Sequence, residues 1–162
     1  MEIKLYPDKI LRQKCLPISR EELSDWREFI NKMVESVEKD PGAAGLAAPQ
    51  IGLSKQIAVV SFGSQTYVLI NPKIVGRSRE KSIEEEGCLS LPGLFLPVKR
   101  AKEVKVVFWN QEGQEQKIVA KGFLARAAQH EIDHLAGKLF IDRLGFWQKI
   151  KVKKILKKFL GK

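Results

Sequence analysis

Histidine and cysteine are scarce in this 162-residue chain, which holds two of each and equally few methionines and tyrosines. Nothing at its start resembles a secretory h-region or an Arg/Ser-rich presequence, so a cytoplasmic protein with reduced cysteines is expected. No apolar run approaches the ~18 residues that a membrane-spanning helix requires, which excludes a helical membrane protein. Repeats and low-complexity segments are also missing. The 44% hydrophobic content is enough for one compact core, and nothing in the chain suggests two.

What is present is concentrated. Both histidines fall in the run Gln129-His130-Glu131-Ile132-Asp133-His134-Leu135-Ala136-Gly137, which contains H-E-x-x-H. On a helix His130 and His134 lie one turn apart, within about 40° of each other, so both imidazoles can reach one metal ion. Glu131 is displaced by about 60° from His134, beside such a metal, where a carboxylate can take a proton from water. The same arithmetic puts Phe123 and Ala127 on the ligand face, so the pocket there is expected to be partly apolar. Arg126 is expected to make a rim or structural contact, and Asp133 to orient a basic neighbour.

A metal doing hydrolysis needs three protein ligands and one open position. The chain has no third histidine, Phe140 stands where the long zincin pattern ends in one, and no glutamate follows Glu131. The missing ligand therefore lies upstream, and the two cysteines are the obvious candidates. Cys15 sits in a basic stretch before Pro17 with no other ligand nearby, as a small buried residue would. Cys88 sits in Glu86-Gly87-Cys88-Leu89-Ser90, in a loop flanked by glycine and proline, and is favoured as the ligand. A third segment, Gly42-Ala43-Ala44-Gly45-Leu46-Ala47-Ala48-Pro49-Gln50, lacks bulk and ends in an amide that could donate to a developing oxyanion.

Together these segments resemble the peptide deformylases. The family pattern orders a G-x-G-x-A-A-x-Q loop, an E-G-C-L-S loop and a Q-H-E-x-D-H helix. Here they read Ala43 to Gln50, Glu86 to Ser90 and Gln129 to His134, and Leu5 to Arg12 and Gly137 to Asp142 are also similar to the family. The departure is Ala43 in place of the first glycine, which would be strained if that position required positive φ. The resemblance implies hydrolysis of the N-formyl group from the initiator methionine of newly made proteins. It implies that Cys88, His130 and His134 hold one divalent metal ion, with Glu131 as general base and then general acid. Gln50 and the backbone N–H of Leu89 would stabilise the oxyanion, and the backbone at Ala44 and Gly45 would pair with an extended peptide. Fe²⁺ is the metal the family commonly uses, with Ni²⁺, Co²⁺ or Zn²⁺ as alternatives.

The expected fold class is α+β: antiparallel β-sheets around a central metal-binding helix, with a C-terminal amphipathic helix. A capping box at Ser19 to Glu22 opens a helix that runs to Asp40. Strands at Gln56 to Phe62 and Thr66 to Ile70 flank Gly63-Ser64-Gln65, and strands at Lys102 to Trp109 and Gln116 to Ala120 form a second hairpin leading from the Cys88 loop to the motif helix, Gly122 to Ala136. Residues 1–145 are expected to be the catalytic domain and 146–162 a basic helix belonging to it. That tail holds seven lysines and no acid out of a net charge of +10. Val152, Ile155, Leu156, Phe159 and Leu160 form its apolar stripe, expected to pack on the body or to accompany an electrostatic contact with ribosomal RNA. Two rivals remain: a zincin-type endopeptidase using Cys88, and a non-catalytic RNA-binding module.

Overall fold

The computed structural model describes residues 1–160, with side chains to Lys157. Helix α1 covers Leu23–Lys39, with Ile30, Met33 and Val37 buried along one face. Before it, Ser19 and Glu22 close a reciprocal box: Ser19 N donates to Glu22 Oε2 at 2.9 Å and Glu22 N donates to Ser19 Oγ at 3.4 Å. The strands are β1 (Gly45–Ala47), β2 (Ile57–Phe62), β3 (Gln65–Arg77), β4 (Lys81–Glu86), β5 (Leu96–Ala101), β6 (Glu103–Trp109) and β7 (Glu115–Lys121). Helices α2 (Gly122–Leu135) and α3 (Phe146–Leu160) follow.

Five strands form one antiparallel sheet in the order β1-β2-β3-β6-β7, and β4 and β5 form a separate two-stranded sheet. Strand β2 is buried from Ile57 to Val60 because both of its faces are covered, as its unbroken apolar run requires. Ile57 and Val59 pack with α1, while Ala58 and Val60 pack in the cluster that contains Ala125, Ala128 and Leu135 of α2. The small alanines let α2 lie close against the sheet. Gln129 adds polar fastening: its Nε2 donates to Ala101 O at 3.0 Å and its Oε1 accepts from Ala101 N at 3.3 Å, so the side chain completes the end of β5 as a strand would.

The strands differ from the sequence expectation in β3 and in the β4–β5 hairpin. Strand β3 runs on past Ile70 to Arg77. Its register with β6 shifts between Ile70 and Lys73, where Asn71 adopts φ 50 and Pro72 follows, so a turn signal here is a bulge within a strand. The β4–β5 hairpin was not expected at all. The Cys88 loop therefore joins β4 to β5, and only after β5 does the chain enter the hairpin that leads to α2. Ala43 resolves simply: among the described residues Asn71 is the only non-glycine at positive φ, so Ala43 carries no backbone strain.

Helix α3 buries Val152 and Leu156 in a cluster with Leu91, Leu139, Phe140 and Leu144. Ile155 is 40% exposed, so it departs from the expected stripe; the Phe159 and Leu160 side chains lie outside the described residues. No helix among the described residues is long and apolar enough to cross a membrane.

Candidate metal centre and cleft

Three segments meet where α2 passes the Cys88 loop. One ligand atom each from Cys88, His130 and His134 lies within 4.8 Å of the others, and Cys88 Sγ stands 3.3 Å from His134 Nε2. His130 Nδ1 is 3.1 Å from Glu86 Oε2, which leaves Nε2 for the opposite side of the ring. Phe140 stacks on His130 with ring centroids 6.0 Å apart, confining the imidazole from a second direction. The helix continues only to Leu135 and then turns through Gly137 at φ 70, where a Cβ would lie 2.6 Å from Arg12 O.

Electrostatics separate the two histidines. Burial acts against charge on His130, yet hydrogen bonds to Cys88 and Glu86 outweigh it and push the group up to about 10. His134 is held well below its usual value, first by burial and then by the neighbouring His130 charge. One thiol and two imidazoles form a nitrogen and sulfur set that suits a borderline or soft divalent ion in a four-coordinate site. The group Cys88, His130 and His134 thus fits a single metal ion.

Glu131 is 4% exposed, and its Oε2 has no hydrogen-bond partner among the described residues. Burial raises its carboxyl to about 7. The space for this side chain exists because residue 45 is glycine: a Cβ there would lie 2.7 Å from Val59 O and 2.8 Å from Glu131 Cγ and Oε1. Gln50 is equally enclosed. Its Oε1 accepts from Ala47 N at 2.9 Å, which turns Nε2 toward Cys88 Sγ at 3.5 Å and Ser90 Oγ at 3.4 Å.

A cleft of about 390 Å³ opens onto these groups. Ala44, Gly45, Gln50, Cys88, Leu89, Phe123, Ala127, His130 and Glu131 all line it. His134 does not, because it lies behind the others at 1% exposure. Phe123 is 47% exposed and pairs with Phe62 at 5.6 Å, and Phe95 also lines the cleft.

Sequence reasoning missed the shell behind the site. Burial alone would raise Glu86, but the Arg100 fork and His130 hold it down to about 2. Arg100 reaches Glu86 at 2.8 and 2.9 Å and Asp133 at 2.5 Å. Of the two roles expected for Arg126, rim or structural contact, the structure shows the second: it is 5% exposed, and its Nη1 donates to Glu86 Oε1 at 2.5 Å and Val98 O at 3.0 Å. Asp133 does engage basic neighbours, Arg100 and Arg143, as its helical position suggested. The available signal for Glu86 was an acid two residues before a proposed ligand; Arg100 had none, because its partners are remote in sequence.

A thiol and two imidazoles around one point, an enclosed carboxylate with an unpaired oxygen and an open cleft with apolar walls define a metal-dependent hydrolase. The polypeptide deformylase family model matches residues 1–149. A peptide deformylase of Nitrosococcus oceani is 42% identical over 157 residues, covering 95% of this chain and 92% of that protein. One from Halothermothrix orenii is 47% identical over 146 residues, covering 89% and 93%. Among solved structures, Arabidopsis thaliana peptide deformylase 1B in complex with an inhibitor superposes with a TM-score of 0.88 at 35% identity, covering 98% of this chain and 90% of that one. A peptide deformylase from Synechococcus elongatus in complex with actinonin gives 0.87 at 37% identity, covering 98% and 85%. The chain belongs to the polypeptide deformylase family, whose members are metal-dependent hydrolases that remove the N-formyl group from nascent peptides.

Proposed function

We propose that this chain hydrolyses the formyl group of N-terminal formylmethionine, releasing formate, with Cys88, His130 and His134 as the metal ligands. The observation that carries the reading is the meeting of that ligand set with an enclosed Glu131 whose Oε2 has no partner. A divalent ion with one open position supplies a hydrolytic nucleophile at neutral pH by lowering the pKa of water to about 7. Glu131 takes a proton from the attacking water and returns it to the methionine nitrogen as the C–N bond breaks, leaving formate and a free amino terminus. The Gln50 amide and the Leu89 backbone N–H donate to the oxygen that becomes negative when the formyl carbon turns tetrahedral. The backbone at Ala44 and Gly45, where the edge strand β1 begins, pairs with the extended peptide, while Phe123 and Ala127 border the slot for the methionine side chain.

Fe²⁺ is the proposed native metal, and the same donors accept Ni²⁺, Co²⁺ or Zn²⁺. Action on nascent chains supports a cytoplasmic location in this reading. The lysines of α3 contact ribosomal RNA in this reading, supported by their excess over acids in that segment. The burial of Val152 and Leu156 against the body supports treating α3 as part of the catalytic domain rather than a separate one.

The test offers metal-loaded protein a short formylmethionyl peptide and a longer unformylated one. Formate release from the first with no cleavage of the second is expected. Cleavage of internal peptide bonds alone overturns the reading in favour of an endopeptidase.

A further inference from the structure

We propose that Arg100 is the positioning residue that sets the spacing between the two elements carrying the metal ligands, an inference that rests on reading Cys88, His130 and His134 as those ligands. Arg100 lies on β5 at 4% exposure and does not line the cleft. Its Nε and Nη2 donate to Glu86 Oε1 at 2.8 Å and Oε2 at 2.9 Å, a two-point grip that fixes the plane of the carboxylate. Glu86 ends β4, two residues before Cys88, and its Oε2 also meets His130 Nδ1. The remaining Nη1 donates to Asp133 Oδ2 at 2.5 Å, on α2 between the two histidines. One guanidinium thus joins the strand end that leads to Cys88 with the helix that carries His130 and His134.

The neighbouring cations do not grip both carboxylates. Arg126, itself on α2, ties that helix to Glu86 and to the backbone of β4 and β5, and Arg143 reaches Asp133 from the segment before α3. Among the described residues only Arg100 is bonded to both carboxylates. The geometry requires arginine, because an ammonium is a point charge that cannot present three donors in one plane to two separate acids. Groups that orient a ligand from behind typically change metal affinity by roughly ten- to a hundredfold when lost.

The experiment titrates Co²⁺ against a competing chelator in wild type, Arg100→Lys and Arg143→Gln, reading the thiolate-to-cobalt absorption band and the thermal melt. Wild type is expected to bind one Co²⁺ with a thiolate band. Arg100→Lys is expected to weaken binding by roughly ten- to a hundredfold and to alter the cobalt spectrum, with KM for a formylmethionyl peptide unchanged. Arg143→Gln, half-exposed and remote from Glu86, stays within about threefold. Wild-type affinity and spectrum in Arg100→Lys overturn the inference. A wild type that lacks the thiolate band overturns the ligand assignment instead. If Arg100→Lys does not fold, Asp133→Asn breaks the helix half of the bridge: the same loss supports the proposal, and unchanged affinity overturns it.

Discussion

Helices α2 and α3 are nearly equal in length, 14 and 15 residues, yet they use charge in opposite ways. In α2 the charged side chains of Arg126, Glu131 and Asp133 are all buried, and each has a position that chemistry dictates. In α3 Lys149, Lys151, Lys153, Lys154 and Lys157 are exposed, and among the described side chains Val152 and Leu156 do the anchoring. Burial decides the difference. A charge inside the protein must be paired or retuned by its surroundings, so its location becomes specific. A charge in water interacts weakly with any one neighbour and matters through the sum, so α3 can serve a diffuse electrostatic role that tolerates substitution.

The sharpest way to break this contrast is to remove a buried charge from α2. Asp133→Ala leaves Arg100 with one carboxylate and Arg143 with none, and urea denaturation is expected to show a loss of about 3–5 kcal/mol, the usual cost of breaking a buried pair. A loss below about 1 kcal/mol would place the pair among ordinary surface bridges. Gly45→Ala is next. Its methyl group would press on Val59 O and on Glu131, so a stability loss of about 1–3 kcal/mol is expected, with a fall in kcat as Glu131 shifts. Wild-type kcat in that variant would show that Glu131 has room the structure does not provide. The smallest effect belongs to α3: replacing Lys149, Lys153 and Lys154 together with serine is expected to change stability by no more than about 0.5 kcal/mol. Turnover of a short formyl peptide should stay the same, while salt-sensitive sedimentation with ribosomes weakens. Sedimentation equal to wild type would remove the ribosomal role from these three lysines.

The same contrast explains what the sequence disclosed. Metal chemistry restricts residue type, and helical geometry restricts spacing, so His130, Glu131 and His134 were legible together, and the lack of any other ligand pointed to Cys88. The Gly63-Ser64 turn and the α1 capping box were legible because they are local. Strand β4 was hidden: Lys81-Ser82-Ile83-Glu84-Glu85-Glu86 has no apolar alternation, since only Glu86 of the six is buried and it is held by arginines rather than by the core. Arg100 was hidden for a related reason. It bonds residues 14 and 33 positions away, which no local pattern encodes. For Arg126 the helical angle gives a direction but not the hairpin that covers it, so the sequence leaves rim and structural contact both open.

The claim that Glu131 works on protons while its neighbours hold the metal is tested most directly by one variant. Glu131→Ala is to be measured for metal content and for formate release from a formylmethionyl peptide, beside wild type. The expected result is one divalent ion per chain in both, with turnover in the variant lower by roughly 10²–10⁴-fold. A variant that loses its metal, or one that keeps wild-type turnover, contradicts the account.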